Sequence, residues 1–331
     1  MDTEGLKRFW TVLNQCHDFN PETCQKLSKS FKLPKYLYRF RSVSESSLSQ
    51  LQDNKLFFSS ADYYDDPFDT YFHINIRQFK PLYDDMKKQL SESTLLSQKV
   101  VEQLAQQTGI DAKKLLSGLE SSELNFDQAA LNLEAVRSMI RKSLFSICFC
   151  EDALNETLWL KYANNHKGFV IEYEINNPET IICGTQDKCN QCPAKTRPAI
   201  YPVYYAEESE SKYDATRYAM ALYLANNPQF LNNPIVMQVL QQNIAFEAER
   251  ISLIKKKCHE HDQEWRMIRP FMHPDRTYIM MKPSKVILGL YMPEYEKRLV
   301  TSAAQIAGVN QIYEVYIDDN DELNVRPRKE G

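Results

Sequence analysis

Residues 36–41 read Tyr-Leu-Tyr-Arg-Phe-Arg, and this stretch decides how the chain around it is taken. Before it, residues 1–33 place Leu6, Phe9, Trp10 and Leu13 at helical spacing, which predicts a helical lead-in. At Tyr36 the period drops to two. Tyr36, Tyr38 and Phe40 alternate with Leu37, Arg39 and Arg41, so a strand is expected with aromatic rings on one face and basic groups on the other.

Working outward, residues 42–54 form a short helix with Ser44 as N-cap, and residues 55–60 a second strand. Residues 74–141 repeat apolar side chains at i, i+4 (Leu82, Met86, Leu90; Leu96, Val100, Leu104), an all-helical insertion. Strands are expected at 144–150 and 168–175, separated by a helical LNETLWLKYANN, with Gly168 serving the helix-to-strand turn. Residues 177–200 are a cysteine-containing loop, and 201–205 a strand. Residues 212–257 carry two further helices, the second ending in Lys255, Lys256 and Lys257, where cations suit a helix C-terminus. VILGLYM, a helix over 294–306 and IYEVYID compose a βαβ unit, the helix stopping at Ala307-Gly308. There is no repeat and no flexible linker. The expectation is one composite α+β domain over 1–331, a central mixed sheet with helical insertions.

Composition agrees. A content of 43% hydrophobic residues with 19 Tyr and 16 Phe supplies a large core, and only 8 Gly and 15 Pro argue against a turn-dense β-sandwich. The net charge of −4 gives no bulk attraction to nucleic acid or an anionic membrane. The first residues lack a basic stretch followed by an apolar one, no apolar run is long enough to span a bilayer, and eight cysteines fit reduced thiols. A cytoplasmic protein is expected.

Four groups of residues could carry chemistry. Arg39 and Arg41 share one strand face, and guanidinium is well suited to clamp a phosphate or carboxylate. Ser59, Ser60, Asp62, Asp65, Asp66 and Asp69 crowd a strand end, either as turn and cap groups or as ligands for a hard cation. Asp262, Glu264 and Arg266 share the face opposite Trp265 and Met267. Cys183, Cys189 and Cys192, with Cys258-His259 downstream, have zinc-ligand spacing if the fold brings the two parts together.

Tyr38-Arg39-Phe40-Arg41-Ser42, Leu56-Phe57-Phe58-Ser59-Ser60, Asp65-Asp66-Pro67-Phe68-Asp69, Trp159-x-x-Tyr162-Ala163, His166-x-Gly168-Phe169, Glu264-x-Arg266 and Val286-Ile287-Leu288-Gly289 together resemble the bacterial family called domain of unknown function 2971. One departure is Asp65, where that family typically shows Asn. A second resemblance concerns chemistry. Arg on the first strand, Ser-Ser on the second and Glu on a later one is similar to the Arg-Ser-Glu pattern of ADP-ribosyltransferases. It implies a transferase-like sheet, NAD as substrate and a protein or nucleic acid as acceptor, in a toxin or a phage-defence effector. Arg39, with Arg41 beside it, would hold the cofactor, Ser59 or Ser60 would brace the site, Glu264 would bind the ribose, and Asp262 would orient the acceptor. A metal-dependent nuclease using Asp66, Asp69 and Glu264, and a non-catalytic module with a zinc-stapled loop, are the alternatives.

Overall fold

The change of period at Tyr36 is where the first strand of the main sheet begins. The computed structural model describes residues 2–18, 20–64, 66, 69–75, 77, 133–175, 181–182, 200–210, 212–225, 246–270 and 278–328. Most of the helical insertion and all of the loop carrying Cys183, Cys189 and Cys192 lie outside the described residues.

The lead-in is two helices, α1 (Thr3–Asn14) and α2 (Pro21–Lys29), capped by Asp2 and Asn20 side chains that accept backbone N–H groups of their first turns. After β1 (Tyr36–Arg41), helix α3 (Glu45–Gln52) opens on Ser44, which accepts from Ser47 N–H while the Ser47 hydroxyl accepts from Ser44 N–H, a reciprocal capping box. There follow β2 (Ser59–Ser60), α4 (Leu133–Ser143), β3 (Leu144–Cys150), α5 (Glu156–Lys161) and β4 (Phe169–Glu174). Next come β5 (Ile200–Pro202), α6 (Thr216–Ala225), α7 (Glu247–Ser252) and β6 (Glu264–Pro270). The chain closes with β7 (Lys285–Leu288), α8 (Glu294–Ile306), β8 (Ile312–Ile317) and β9 (Leu323–Pro327).

These nine strands make one mixed sheet in the order β9-β8-β7-β4-β1-β3-β6-β5, with β2 also paired to β3. The parallel pair is β7 and β8, joined by α8 as the βαβ reading requires, and α8 ends at Ala307 with Gly308 at φ 78°. The other pairs in this sheet are antiparallel. One junction is thin. β1 pairs β4 over six residues, whereas β1 and β3 share one registered pair, Tyr38 with Cys150.

Alternation sorts the side chains onto two faces. Leu37, Phe149, Ile171 and Trp265 belong to the larger core, which α1, α2, α3 and α8 cover through Phe9, Leu27, Leu51 and Val300. Phe40, Cys150, Val170 and Ile287 belong to a smaller core on the other face, filled by Trp159 of α5.

Two expectations need correction. Residues 55–60 are not one strand: Lys55–Phe57 pairs with Tyr278–Met281 in a small separate sheet, and only Ser59–Ser60 reaches β3. Nor do the three lysines end a helix. Helix α7 stops at Ser252, and Lys255 lies in the strand Ile254–Lys256, parallel to Tyr204–Ala206.

The turn between α5 and β4 is built as expected, at a close approach of backbones. Asn164, Asn165 and His166 all have positive φ, and Gly168 N–H donates to Ala163 O at 2.7 Å. A Cβ on Gly168 would lie 2.2 Å from the Arg41 carbonyl oxygen, so no other residue fits without moving β1.

Candidate active site

The site begins with a strand entered through a left-handed residue. Gln263 has φ 46°, which swings the chain from the 3-10 turn Lys257–Asp262 into β6. Asp262 and Glu264 therefore point into the same space although Asp262 is not on the strand. Asn155, the N-cap of α5, donates from Nδ2 to His261 O at 2.6 Å and ties this turn to the helix.

Arg266, 1% exposed, is held on every side. Its Nε donates to Glu264 Oε1 at 2.6 Å, Nη1 to Ser252 O at 2.7 Å and Nη2 to Asp69 Oδ2 at 2.7 Å. Its guanidinium lies 5.1 Å from the Tyr64 ring centre, and the Tyr64 hydroxyl hydrogen-bonds Ser146. Lys255 occupies the middle of the acids. Its Nζ is 3.0 Å from Glu264 Oε2, 3.1 Å from Asp262 Oδ2 and 3.6 Å from Asp69 Oδ2. Glu264 N–H donates to the Tyr205 hydroxyl oxygen at 2.8 Å, which fixes the strand end.

Three buried carboxylates thus face two buried cations, leaving one negative charge in excess. Asp262 Oδ1 is buried and accepts no hydrogen bond among the described residues, with two rim groups beside it: His261 Nε2 at 3.3 Å and Lys161 Nζ at 3.7 Å. His259 Nε2 lies 3.1 Å from Asp66 Oδ2 just outside.

The electrostatics follow from this geometry. Burial alone would raise the Glu264 pKa, but Arg266 and Lys255 outweigh it and hold the carboxyl well below its usual range. Burial would lower Lys255, yet Glu264 and Asp69 raise it instead. The neighbouring Cys148 thiol is pushed up to about 12, by burial first and then by Glu264, so it is not a nucleophile at neutral pH. Tyr162, half-exposed at the mouth, is likewise raised to about 12 by burial and Glu264.

Glu264 and Asp262 are therefore brought together, on Lys255. The other proposed members are not. Arg39 and Arg41 leave β1 on the larger-core face, with the Arg39 guanidinium 5.9 Å from the Phe149 ring centre, while Glu264 and Arg266 leave β6 on the opposite face. A single Arg39–Ser–Glu264 cluster is not what this strand order builds. Ser59 is exposed; Ser60 is buried as a cap, its hydroxyl accepting from Asp62 N–H at 3.3 Å and donating to Arg141 O at 3.1 Å. The proposed cation ligands Asp66 and Asp69 pair instead with His259, Arg266 and Lys255. Among the described residues no group of three or more His, Cys, Asp or Glu side chains could hold a metal ion. Cys258 is exposed, and its suggested partners lie outside the described residues.

Lys255 is the residue that sequence reasoning missed. The signal was present: Lys255 directly follows the apolar pair Leu253-Ile254, which suits a buried strand better than a solvated helix end. The aspartate that closes the cluster, Asp69, was legible as part of the Asp-Asp-Pro-Phe-Asp block, though not as the partner of Arg266.

Residues 158–267, about a third of the chain, match the model of a family described as protein of unknown function (DUF2971). The expected family resemblance holds over that stretch, which runs from α5 to β6 and includes Trp159, Tyr162, Gly168, Lys255, Asp262, Glu264 and Arg266. Comparison with curated proteins and with solved structures found no match. No helix among the described residues is long and apolar enough to cross a membrane.

Proposed function

We propose that the protein is an ADP-ribosyltransferase-like enzyme that opens the nicotinamide–ribose bond of NAD at Glu264. The observation that carries this reading is a carboxylate held ionised, with one oxygen on Arg266 and the other on Lys255. Breaking an N-glycosidic bond develops positive charge on the sugar, and a fixed carboxylate in a recess shielded from water stabilises that charge without reorganising. With Arg266, Lys255 and the Cys148 thiol hydrogen-bonded to it, the carboxylate keeps acceptor capacity for a ribose hydroxyl. Asp262, beside Glu264 and with Oδ1 turned toward His261 and Lys161 at the rim, is placed to orient the acceptor.

The reading departs from the sequence expectation in its anion contacts. Lys161 and His261, both partly exposed beside Asp262, replace Arg39 and Arg41 as the groups for the pyrophosphate. The transferase-like sheet, an acceptor protein or nucleic acid and a role in toxicity or phage defence belong to the same proposal and rest on the resemblance of motifs.

Incubation with isotopically labelled NAD and a bacterial lysate tests it. Released nicotinamide and labelled macromolecule are expected, lost in Glu264→Gln and weakened through KM in Lys161→Ala. No release, no label and no calorimetric binding of NAD would overturn the reading.

A further inference from the structure

Across the sheet from Glu264, two arginines lie together with no acid beside them among the described residues. Arg39 and Arg41 project from alternate positions of β1 onto the face that also carries Tyr173 and Phe149. Arg39 is half-buried. Its Nη1 has lost contact with solvent and has no hydrogen-bond acceptor among the described residues. Arg41 reaches Gln50 of α3 at 3.5 Å, a long contact to a neutral amide. The groups acting electrostatically on the pair are each other, Tyr173 and the Cys148 thiol, and among the described residues none is a carboxylate.

Such an arrangement is costly. Guanidinium stays charged at neutral pH, and a charge taken from water needs a partner. Elsewhere this chain pairs its buried arginines with acids: Arg266 has Asp69 and Glu264, and Arg250 has Glu247. The pair also lies where the sheet is loosest, because β1 and β3 share only the Tyr38–Cys150 pair, next to Arg39.

We infer that Arg39 and Arg41 form a second ligand site, on the opposite face from Glu264, which takes a phosphate dianion either free or as the terminal group of a phosphate ester. Two positive charges match a dianion, and the guanidinium fork offers it paired N–H donors. Tyr173 lies beside both arginines as a wall of the site. This inference does not rest on the Glu264 reading.

The test is thermal unfolding and calorimetry of the full chain with inorganic phosphate, against sodium chloride at matched ionic strength. Phosphate is expected to raise the melting temperature, and Arg39→Met to weaken its affinity by about tenfold or more, the effect of losing one charge-assisted hydrogen bond. Without phosphate, Arg39→Met should melt no lower than the parent, since it removes a charge that has no partner. Arg326→Ala, at the sheet edge where Arg326 pairs with Glu314, should keep the full phosphate response. A nucleoside monophosphate that binds more tightly than phosphate at the same arginines identifies an ester as the ligand; equal affinity identifies the free ion. A phosphate response absent in the parent, retained in both Arg39→Met and Arg41→Met, or lost in Arg326→Ala would overturn the inference. So would a lower melting temperature of Arg39→Met in phosphate-free buffer, which marks a structural arginine.

Discussion

Lys255 sits between three carboxylates and is the single side chain on which the buried cluster depends most. Its removal, as in Lys255→Met, leaves Asp69 and Glu264 to Arg266 alone and Asp262 to the rim groups His261 and Lys161. Breaking a buried ion network from one side costs about 3–5 kcal/mol, so urea unfolding of Lys255→Met should show a loss of that size. A loss under about 1 kcal/mol would mean that the cluster is solvated. Glu264 sets a pH dependence of definite sign. Its folded pKa lies below the unfolded value of 4.5 because Arg266 and Lys255 overcome the effect of burial. The unfolded chain therefore takes up the proton first as the solution is acidified. The contribution is complete above pH 4.5 and declines as pH falls below it toward the lower folded pKa, which stepwise denaturation between pH 7 and pH 3 will record.

Single elements carry two further predictions. The capping box of α3 predicts that Ser44→Ala costs about 1 kcal/mol, measurable as a shift of the urea midpoint with unchanged slope. Gly289 offers a harsher test, because a Cβ there would lie 2.2 Å from the His166 carbonyl oxygen and 2.6 Å from that of Gly168. Gly289→Ala must push β7 away from the α5–β4 turn, at a cost of about 3 kcal/mol, and Gly289 itself is not at positive φ. Elements with strong local signals were legible in the sequence: the Ser44 cap, the period-two strand at Tyr36 and the apolar–helix–apolar run that became β7, α8 and β8. What could not be read is where local pattern is silent. The alternation in Tyr36–Arg41 shows that Arg39 and Phe40 part company, but not which of those faces would meet Glu264. That depends on strand order, which placed β3 between β1 and β6. Lys255 was misplaced for a related reason: a run of three lysines is as typical of a helix end as of a short strand, and only the pairing with Tyr204–Ala206 decides between them.

At the scale of the whole molecule, one sheet separates two chemistries. The smaller-core face carries the acid-rich cluster around Lys255; the larger-core face carries the arginine pair. Burial predicts how stability is distributed along the sheet. Amides of β4, whose first five residues are all buried, should exchange with deuterium most slowly. Those of β9, an edge strand of intermediate and exposed residues, should exchange fastest, and mass spectrometry of the peptides covering the two strands measures the contrast.

The single registered pair between β1 and β3 gives this picture a mechanical side. Within the sheet, β9-β8-β7-β4-β1 is one raft and β3-β6-β5 with β2 is another, and Tyr38–Cys150 is the one rung between them. In-plane load concentrates on that rung, so the rafts part there before either loses its own strands. Arg39 rides on the first raft and the acid cluster is anchored to the second.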